Sequence, residues 1–404
     1  MTPSETTPAP RYPHPPDPRA GPSWRARLRR SLAVGLTRLA SPNERDTGRR
    51  GVLLIRPDHL GDLLFLAPAL HWLRRQAPDL PLTLMVGPWA RPALPALAGA
   101  YDELIEVPFP AFERGPRQGV RTRWTLAWRL GRTLAGRDFA AAVVFRPDHW
   151  WGALMAWLAR IPLRVGYDTY ETAPYLNRRL ALRHEHAVAR NLRLVGALLG
   201  ETPVLRPDAH PLTFPVAPAD REAAARLLAA VGGRRPYVVI HPGAGAAVKW
   251  WEPAAWGVVA QGLHAQGATV LVTGGPGEEP LTAAVVSAAG GAAVDLGGRT
   301  SFGVLAGLLA QADLVLGPDS GPLHLAVAVG TPTIHLFGPA DPVLFGPWGD
   351  PARHIVLSSP WACAPCGRLD WPDLPAHGCV RAIPPTRVLA QAIAMLFADD
   401  GRKM

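Results

Sequence analysis

Short apolar segments alternate with helical runs from residue 51 almost to the C-terminus. In the first half the apolar segments read VLLI, LTLMV, LIEV and AAVVF, separated by helical runs such as LAPALHWLRRQ and AVARNLRLVGALLG. This alternation is the pattern of consecutive βαβ units, which build a parallel sheet with helices on both faces. A Pro-rich stretch around residues 201–220 interrupts the pattern, which then resumes with YVVIHPGAG. We therefore predict an α/β fold of two Rossmann-like, doubly wound domains facing a cleft that binds ligand at the strand ends.

The length of the chain supports two domains. Its 404 residues exceed one ordinary core, and a hydrophobic content of 48% is enough to bury two. We place the N-terminal domain at residues 47–215 and the C-terminal domain at residues 216–404. The sequence shows neither a secretory signal peptide nor about 18 consecutive apolar residues, so we expect a cytoplasmic protein.

The first 46 residues differ from the rest in composition. Residues 1–22 are Pro-rich, which predicts disorder. Residues 23–46 predict a basic amphipathic helix, and residues 1–50 hold ten arginines against four acidic residues. Such a helix can lie on an anionic membrane surface or pack against the first domain. The sequence leaves both interpretations open.

The motif RPDH follows two of the predicted strands, at residues 56–59 and again at 146–149. Only the first copy continues into Gly61 and Asp62, just before an apolar helix. A carboxylate at this position can cap the helix, which is worth about 1 kcal/mol. It can also act as a general base toward a bound substrate. Local chemistry favours the cap.

Two later strand ends carry residues suited to binding a phosphorylated ligand. In HPGAGAAVKWW, backbone N–H groups and Lys249 could hold a phosphate, although a plain tight turn explains the loop equally well. In GPDSGPLHLAVAVGTP, Asp319 or Ser320 can cap the next helix. A cap does not explain why Gly321 and His324 crowd the same strand end, so this loop favours a ligand site.

Further charged residues have a functional and a structural interpretation each. Glu278, in VTGGPGEE, could bind ribose hydroxyls or be a solvated carboxylate at a helix start. Arginines at residues 114–132 and 178–183 could bind phosphates or form a solvated basic face.

All three cysteines lie near the C-terminus. Cys363, Cys366 and Cys379, with His377, could hold zinc, but three reduced cysteines in a packed tail are the stronger interpretation. We therefore predict no metal, and the odd count argues against a disulfide framework.

These motifs together resemble glycosyltransferase family 9, the ADP-heptose:lipopolysaccharide heptosyltransferases. The resemblance rests on IRPDHLGDLLFLAPAL, HPGAGAAVKWW, GGPGEE, the block from DLGGRTSFG to FGPWG, and the C-terminal CAPC segment. It runs from about residue 51 to residue 398. Residues 246 and 247 are Ala, where the family often has small hydroxylated residues.

The resemblance implies the GT-B fold, an inverting transfer and no required metal or cofactor. It implies that Asp62 is the general base rather than a cap. The implied donor-binding residues are Gly243, Lys249, Glu278, Thr300, Asp319, Ser320, Gly321 and His324. We assign acceptor binding to Arg56, Asp58, Arg121, Arg123 and Arg146.

We therefore predict a transferase that moves heptose from ADP-heptose onto an anionic glycan such as lipopolysaccharide core. It would work in the cytoplasm, with possible peripheral contact with the inner membrane and no nucleic-acid partner. The alternatives are a GT-B transferase with another nucleotide sugar and a non-catalytic nucleotide-sugar-binding protein. A nicotinamide dehydrogenase is disfavoured because no GxGxxG follows the first strand of either domain. A serine hydrolase is disfavoured because the chain has no GxSxG.

Overall fold

A computed structural model describes most of the chain. The described residues are 27, 30–31, 33–35, 37, 50–110, 112, 120–361, 363–369 and 378–397, without the side chains of residues 120–122. The predicted disordered tail 1–22 lies outside them. The chain divides into two compact units that meet in sequence between Pro211 and Leu212.

The first unit is built on a six-stranded parallel sheet in the order β3-β2-β1-β4-β5-β6. Its strands are β1 (Gly51–Arg56), β2 (Leu82–Val86), β3 (Glu103–Glu106), β4 (Phe139–Val144), β5 (Leu163–Tyr167) and β6 (Arg178–Leu180). The connecting α-helices are Leu60–Gln76, Val120–Ala135, Trp150–Leu158 and Ala187–Leu199, with 3₁₀ turns at Pro88–Leu97 and Ala173–Tyr175.

Strand β1 lies at the centre of this sheet because its side chains are apolar on both faces. The side chains of residues 52–55 are at most 2% exposed. The strand pairs in parallel with β2 on one side and with β4 on the other, where Leu54 faces Val143. Near-continuous apolar strands of this kind are typical of parallel sheets covered by helices on both faces.

The described part of the predicted basic helix is helical and packs on the first unit. Ala33 is 2% exposed and belongs to the same apolar cluster as Leu53 and Ile55. Arg30 Nη1 donates a hydrogen bond of 2.9 Å to the carbonyl of Tyr170, and its guanidinium lies 4.4 Å from the centre of that ring. These contacts agree with the interpretation of a helix packed on the first domain.

The second unit repeats the architecture with the order β12-β11-β10-β7-β8-β9, again all parallel. Its strands are β7 (Tyr237–Ile240), β8 (Thr269–Gly274), β9 (Ala293–Gly297), β10 (Leu314–Pro318), β11 (Thr333–Phe337) and β12 (His354–Ser358). Its α-helices are Pro218–Val231, Pro253–Ala265, Glu279–Ala288, Phe302–Gln311, Gly321–Ala328, Pro342–Phe345 and Pro385–Phe397, with a 3₁₀ turn at Ala247–Lys249.

Counted within each unit, both sheets have the strand order 3-2-1-4-5-6 of the Rossmann fold. In the first sheet β2 and β3 lie on one side of β1 and β4 to β6 on the other, so the switch point lies between β1 and β4. In the second sheet it lies between β7 and β10. Ligands in open α/β sheets bind at the carboxyl ends of the strands at this switch point. The structure confirms the predicted fold class and puts the sequence motifs at both switch points.

Among the helices of the described residues, none combines the length and the apolar character needed to cross a bilayer.

Candidate active site

Both copies of RPDH lie at the switch point of the first sheet. The first copy begins at Arg56, the last residue of β1, and the second begins at Arg146, two residues after β4 ends. Because β1 and β4 are hydrogen-bonded neighbours, the two turns are brought side by side. The internal repeat therefore produces one cluster of charges.

Five charged side chains form a ladder of alternating sign across the two turns. Arg56 Nη2 donates to Asp62 Oδ1 at 2.9 Å, and Arg56 Nε lies 2.7 Å from Asp58 Oδ2. Arg146 Nη1 donates to the other oxygen of Asp58. Arg146 Nε also donates to Asp148 Oδ1 at 2.6 Å. The order is therefore Asp62, Arg56, Asp58, Arg146, Asp148, with an aspartate at each end.

The centre of this charge ladder is buried and its ends are partly exposed. Asp58 is 1% exposed, whereas the side chains of Asp62 and Asp148 are 33% and 32% exposed. Burial alone would raise the pKa of Asp58, but the charges of Arg56 and Arg146 hold it below the usual value. Asp58 therefore carries a full negative charge at neutral pH.

Asp62 has the opposite shift. Desolvation and the negative charge of Asp58 raise the pKa of Asp62, against the lowering effects of Arg56 and Arg146. Its Oδ1 accepts the hydrogen bond from Arg56, and the described residues contain no hydrogen-bond donor to its Oδ2. A carboxylate with a raised pKa and one open oxygen is suited to accept a proton.

Asp62 does not cap the helix that follows. The helix starts at Leu60, so the N-cap position belongs to His59, whose side chain makes no capping hydrogen bond in the described structure. Asp62 lies in the first turn with its carboxylate held by Arg56. The structure therefore does not support the interpretation of Asp62 as a helix cap.

Asn191, from outside the motif, and His149, the last residue of its second copy, complete this cluster. Asn191, buried in the helix Ala187–Leu199, accepts from Arg56 Nη1 at 3.4 Å and donates to the carbonyl of Phe65 at 2.9 Å. His149 is packed edge-on against Phe109, with ring centres 5.2 Å apart. Burial lowers the pKa of His149 to about 3, so this histidine is neutral at physiological pH.

The second switch point brings Lys249, Asp319 and His324 together. Lys249 Nζ donates to Asp319 Oδ2 at 2.8 Å and to its carbonyl oxygen at 3.1 Å. His324 Nε2 lies 3.3 Å from Asp319 Oδ1. Burial opposes ionisation of Asp319, but the charge of Lys249 and the hydrogen bond from His324 keep its pKa well below the usual value. The loops after β7 and β10 are thus joined by a charged contact.

Ser320 lies at the start of the helix Gly321–Ala328 without acting as a conventional cap. Its hydroxyl is buried and finds no hydrogen-bond partner in the described structure. A buried unsatisfied hydroxyl is costly and marks a position where a bound group can supply the missing partner. Together with the N-terminus of the helix, the position is suited to an anion.

Glu278 and Gly243 lie against each other at the ends of β8 and β7. A Cβ added at Gly243 would overlap the carboxylate of Glu278, so only glycine allows this approach. Glu278 Oε2 accepts from the backbone N–H of Gly275 at 2.7 Å and lies 3.6 Å from His241 Nε2. His241 Nδ1 lies 3.1 Å from Thr273 Oγ1, and burial lowers the pKa of His241.

Two of the predicted site residues, Thr300 and Arg123, lie apart from these clusters. Thr300 is half-buried in the loop after β9, and within the described residues no hydrogen bond or ion pair joins it to the donor cluster. Arg123 is half-buried in the helix Val120–Ala135, where its carbonyl accepts from Trp151 Nε1 at 3.1 Å. The side chain of Arg121 lies outside the described part of the structure.

The candidate metal set is described only in part, because His377 lies outside the described residues. The three cysteines are free thiols, with Cys363 exposed and Cys379 buried. Burial raises the pKa of Cys379 to about 11, so it stays a neutral thiol at physiological pH. The described residues contain no group of three or more side chains arranged to hold a metal ion.

Sequence reasoning did not single out Asn191, His241 or Asp148. His241 had a usable signal, because it directly follows the apolar strand β7. Asp148 had one as well, because it repeats Asp58 in the second RPDH motif. Asn191 had none, since its contact with Arg56 spans 135 residues of sequence.

Known proteins share both the sequence and the fold. A family model for glycosyltransferase family 9 (heptosyltransferase) matches residues 127–370, more than half of the chain. The lipopolysaccharide heptosyltransferase 3 of Escherichia coli is 26% identical over 306 residues, covering 72% of this chain and 84% of that protein. The lipooligosaccharide heptosyltransferase 2 of Haemophilus influenzae is 27% identical over 319 residues, covering 76% and 88%.

The fold has a counterpart among solved structures. The structure of the E. coli ADP-heptose lipopolysaccharide heptosyltransferase II superposes with a TM-score of 0.65 at 21% identity, covering 86% of this chain and 99% of that one. This likeness confirms the predicted GT-B fold. With the family match over residues 127–370, it shows that the chain belongs to glycosyltransferase family 9, the heptosyltransferase family.

Proposed function

We propose that this protein transfers heptose from ADP-heptose to a lipopolysaccharide-core acceptor, with inversion at the anomeric carbon and with Asp62 as the general base. The names of its relatives support the sugar and the acceptor. The observation that carries the mechanism is the partly exposed carboxylate of Asp62, with its raised pKa and its open Oδ2. The reaction would take place in the cytoplasm.

In this mechanism Asp62 accepts the proton of the acceptor hydroxyl as the hydroxyl oxygen bonds to the anomeric carbon. The bond between that carbon and the phosphate oxygen breaks, and ADP leaves with the electron pair. Attack opposite the leaving group inverts the configuration. A positioned base of this kind contributes about 10²–10⁴-fold to a rate.

The charge ladder would position this base. Arg56 and Asp58 are 6% and 1% exposed, and their charged groups bind other members of the ladder. In this arrangement they are better placed to hold Asp62 than to touch an acceptor. Arg146, with 23% of its side chain exposed, keeps the proposed role in acceptor binding. Acceptor binding by Arg121 and Arg123 remains a proposal from the sequence alone.

On the donor side, Lys249 would stabilise the negative charge that develops on the departing diphosphate. Two of its three ammonium protons have acceptors on Asp319, so one donor position remains for a phosphate oxygen. Ser320 and the start of its helix would supply further donors to the diphosphate. Glu278, beside Gly243, would accept hydrogen bonds from the ribose hydroxyls.

Calorimetric titration with ADP, ADP-heptose, UDP and UDP-linked sugars tests this proposal. We expect tight binding of the ADP-linked ligands and at least tenfold weaker binding by Lys249→Ala. Arg235→Ala is a matched control, because Arg235 also pairs with an aspartate in the same unit but lies at the opposite end of β7. Preference for a UDP-linked sugar would exclude heptose as the donor sugar. Donor binding without turnover would indicate a non-catalytic binding protein.

A further inference from the structure

Within the described residues, the helix Val120–Ala135 has one exposed face, and that face carries tryptophan and arginine. Trp124 and Trp128 are 41% and 54% exposed, whereas Trp151, in the next helix, is 2% exposed. Arg129 and Arg132 are exposed as well. Exposed tryptophans are costly in water, so a pair of them on one helix indicates a surface with a partner.

Helical spacing puts these side chains on one face. Trp124, Trp128 and Arg132 follow one another at intervals of four residues, and Arg129 lies beside them. The flank of the helix that meets the neighbouring helix is buried: Ala127 is 0% exposed, and a Cβ added at Gly131 would overlap Leu158. In the described part of the chain the outward face is therefore exposed.

The charge on this helix has a single sign. Its sequence, VRTRWTLAWRLGRTLA, contains four arginines and no acidic residue. The two exposed arginines, Arg129 and Arg132, lack ion-pair partners within the described part of the chain. A partner that covers this face must therefore supply negative charge and accept indole rings.

The aromatic rings are held in place by the protein while staying accessible. The guanidinium of Arg132 lies 4.8 Å from the centre of the Trp128 ring, and the Trp124 ring lies 5.7 Å from that of Trp150 at an angle of 48°. An arginine stacked on an indole joins a cation to an apolar surface, the combination found where proteins meet lipid headgroups. Because one face of the Trp128 ring is occupied by Arg132, this ring is less suited to stacking on a sugar.

We propose that the face formed by Trp124, Trp128, Arg129 and Arg132, here called the Trp–Arg face, docks on the anionic lipid headgroups of a membrane. The indoles would enter the interfacial region, which tryptophan prefers, and the arginines would bind lipid phosphates. Arg30, in the described part of the basic N-terminal helix, is directed to Tyr170 and does not belong to this face. The surface is independent of which sugar the protein transfers.

Sedimentation of the full-length protein with lipid vesicles tests this surface. One set contains phosphatidylcholine alone, and the other contains phosphatidylcholine with about a third phosphatidylglycerol. We expect binding to the anionic vesicles only, weakened by salt. The double variant Arg129→Ala/Arg132→Ala should bind about 30-fold more weakly, the equivalent of ~1 kcal/mol for each arginine. Trp124→Ala/Trp128→Ala should weaken binding by an amount that salt does not change.

Matched controls remove the same groups elsewhere. Arg206→Ala/Arg226→Ala deletes two arginines whose side chains are 69% and 72% exposed, and Trp361→Ala deletes a tryptophan that is 42% exposed. Both controls should bind anionic vesicles within twofold of the unchanged protein. ADP titration of each variant separates this surface from the donor site, because a folded variant keeps its affinity for ADP.

Three results would overturn the proposal. The first is no binding of the unchanged protein to anionic vesicles, and the second is equal loss in the matched controls. The third is normal vesicle binding by both helix variants with weaker binding of lipid-free core oligosaccharide, which would make the Trp–Arg face a glycan site.

Discussion

Asp58 lies between two guanidinium groups, and its negative charge repels that of Asp62. It binds Arg56 and Arg146, and its negative charge is one of the reasons why the pKa of Asp62 is raised. Removing a charge from the centre of the ladder should therefore change both the stability of the protein and the pH dependence of its base. Loss of Asp58 and loss of Arg56 should both lower stability, but they should shift the pKa of Asp62 in opposite directions. The direction of the pKa shift therefore separates the electrostatic effect from the loss of stability.

In Asp58→Asn the acid limb of the kcat/KM profile should move to lower pH. Asp62 must be deprotonated to act as a base, and loss of the nearby negative charge lowers its pKa. In Arg56→Gln the limb should move to higher pH, because the charge and hydrogen bond that lower this pKa are gone. The measurement is kcat/KM from about pH 4 to pH 9.

Stability gives the second readout of Asp58→Asn. Breaking a buried ion pair by removing one partner costs about 3–5 kcal/mol, which denaturant unfolding would detect. Asp168→Asn is the control, because Asp168 is half exposed and pairs with exposed Arg179 in the same unit. It should change neither the pH profile nor the stability. Limbs that move in the same direction in Asp58→Asn and Arg56→Gln would refute the electrostatic account.

The sequence predicts the two RPDH turns at strand ends, but it does not predict their pairing. Contact between Asp58 and Arg146 requires that β1 and β4 are neighbours, which depends on the strand order of the whole sheet. The Gly243–Glu278 contact likewise depends on β7 and β8 being adjacent. The types of residue at the site could therefore be read from sequence, and their partners could not.

At the scale of elements, two helices of the second unit are each preceded by a serine, and the two serines differ in their hydrogen bonds. Ser301, before the helix Phe302–Gln311, accepts from the backbone N–H of Val304 at 3.2 Å. Ser320, before the helix Gly321–Ala328, is buried without a partner in the described structure. The first serine thus stabilises its helix, and the second leaves a donor position for a ligand.

Replacement of each serine by alanine should separate these roles. Ser301→Ala loses a helix cap and should lower stability by about 1 kcal/mol, seen as a lower melting temperature. Ser320→Ala loses no internal hydrogen bond and should leave the melting temperature unchanged, while ADP binding by calorimetry weakens about tenfold. Unchanged ADP affinity in Ser320→Ala would remove this hydroxyl from the proposed donor site.

Most strands were predictable from their apolar sequences, and three were not. Strand β2 has the predicted bounds, because the mainly apolar LTLMV lies between Pro81 and Gly87. Strands β5, β6 and β12 went unrecognised. Strand β6 has only three residues, two of them arginines, as is common at sheet edges, where charge prevents unwanted pairing. The helix Pro218–Val231 begins within the predicted linker, with proline in its first turn.

On the scale of the whole molecule, two sheets of the same strand order carry different chemistry at their switch points. The first carries the carboxylate and guanidinium ladder, and the second carries Lys249, Asp319 and Glu278. The repeated alternation of strands and helices in the sequence made the division into two sheets predictable. The chemistry comes from the loops, since the two sheets themselves are alike.

Hydrogen exchange should show this division directly. With ADP at 100 times its Kd, the second unit gains about 2.7 kcal/mol of stability. We expect slower exchange in residues 241–249, 273–278 and 319–324, and unchanged exchange in residues 56–62. Lys249→Ala at the same ADP concentration should show much less protection. Protection of residues 56–62 alone would place the nucleotide in the first unit.

Asp62 is the proposed general base, and the most direct measurement compares the two ends of the charge ladder. Turnover of ADP-heptose with a lipopolysaccharide-core acceptor is measured for Asp62→Asn and Asp148→Asn, two aspartates of nearly equal exposure that each bind an arginine. We expect Asp62→Asn to bind ADP normally and to lose about 10²–10⁴-fold in turnover. Asp148→Asn should lose less than about tenfold. Near-normal turnover in Asp62→Asn, or an equal loss in both variants, would contradict the assignment of Asp62 as the base.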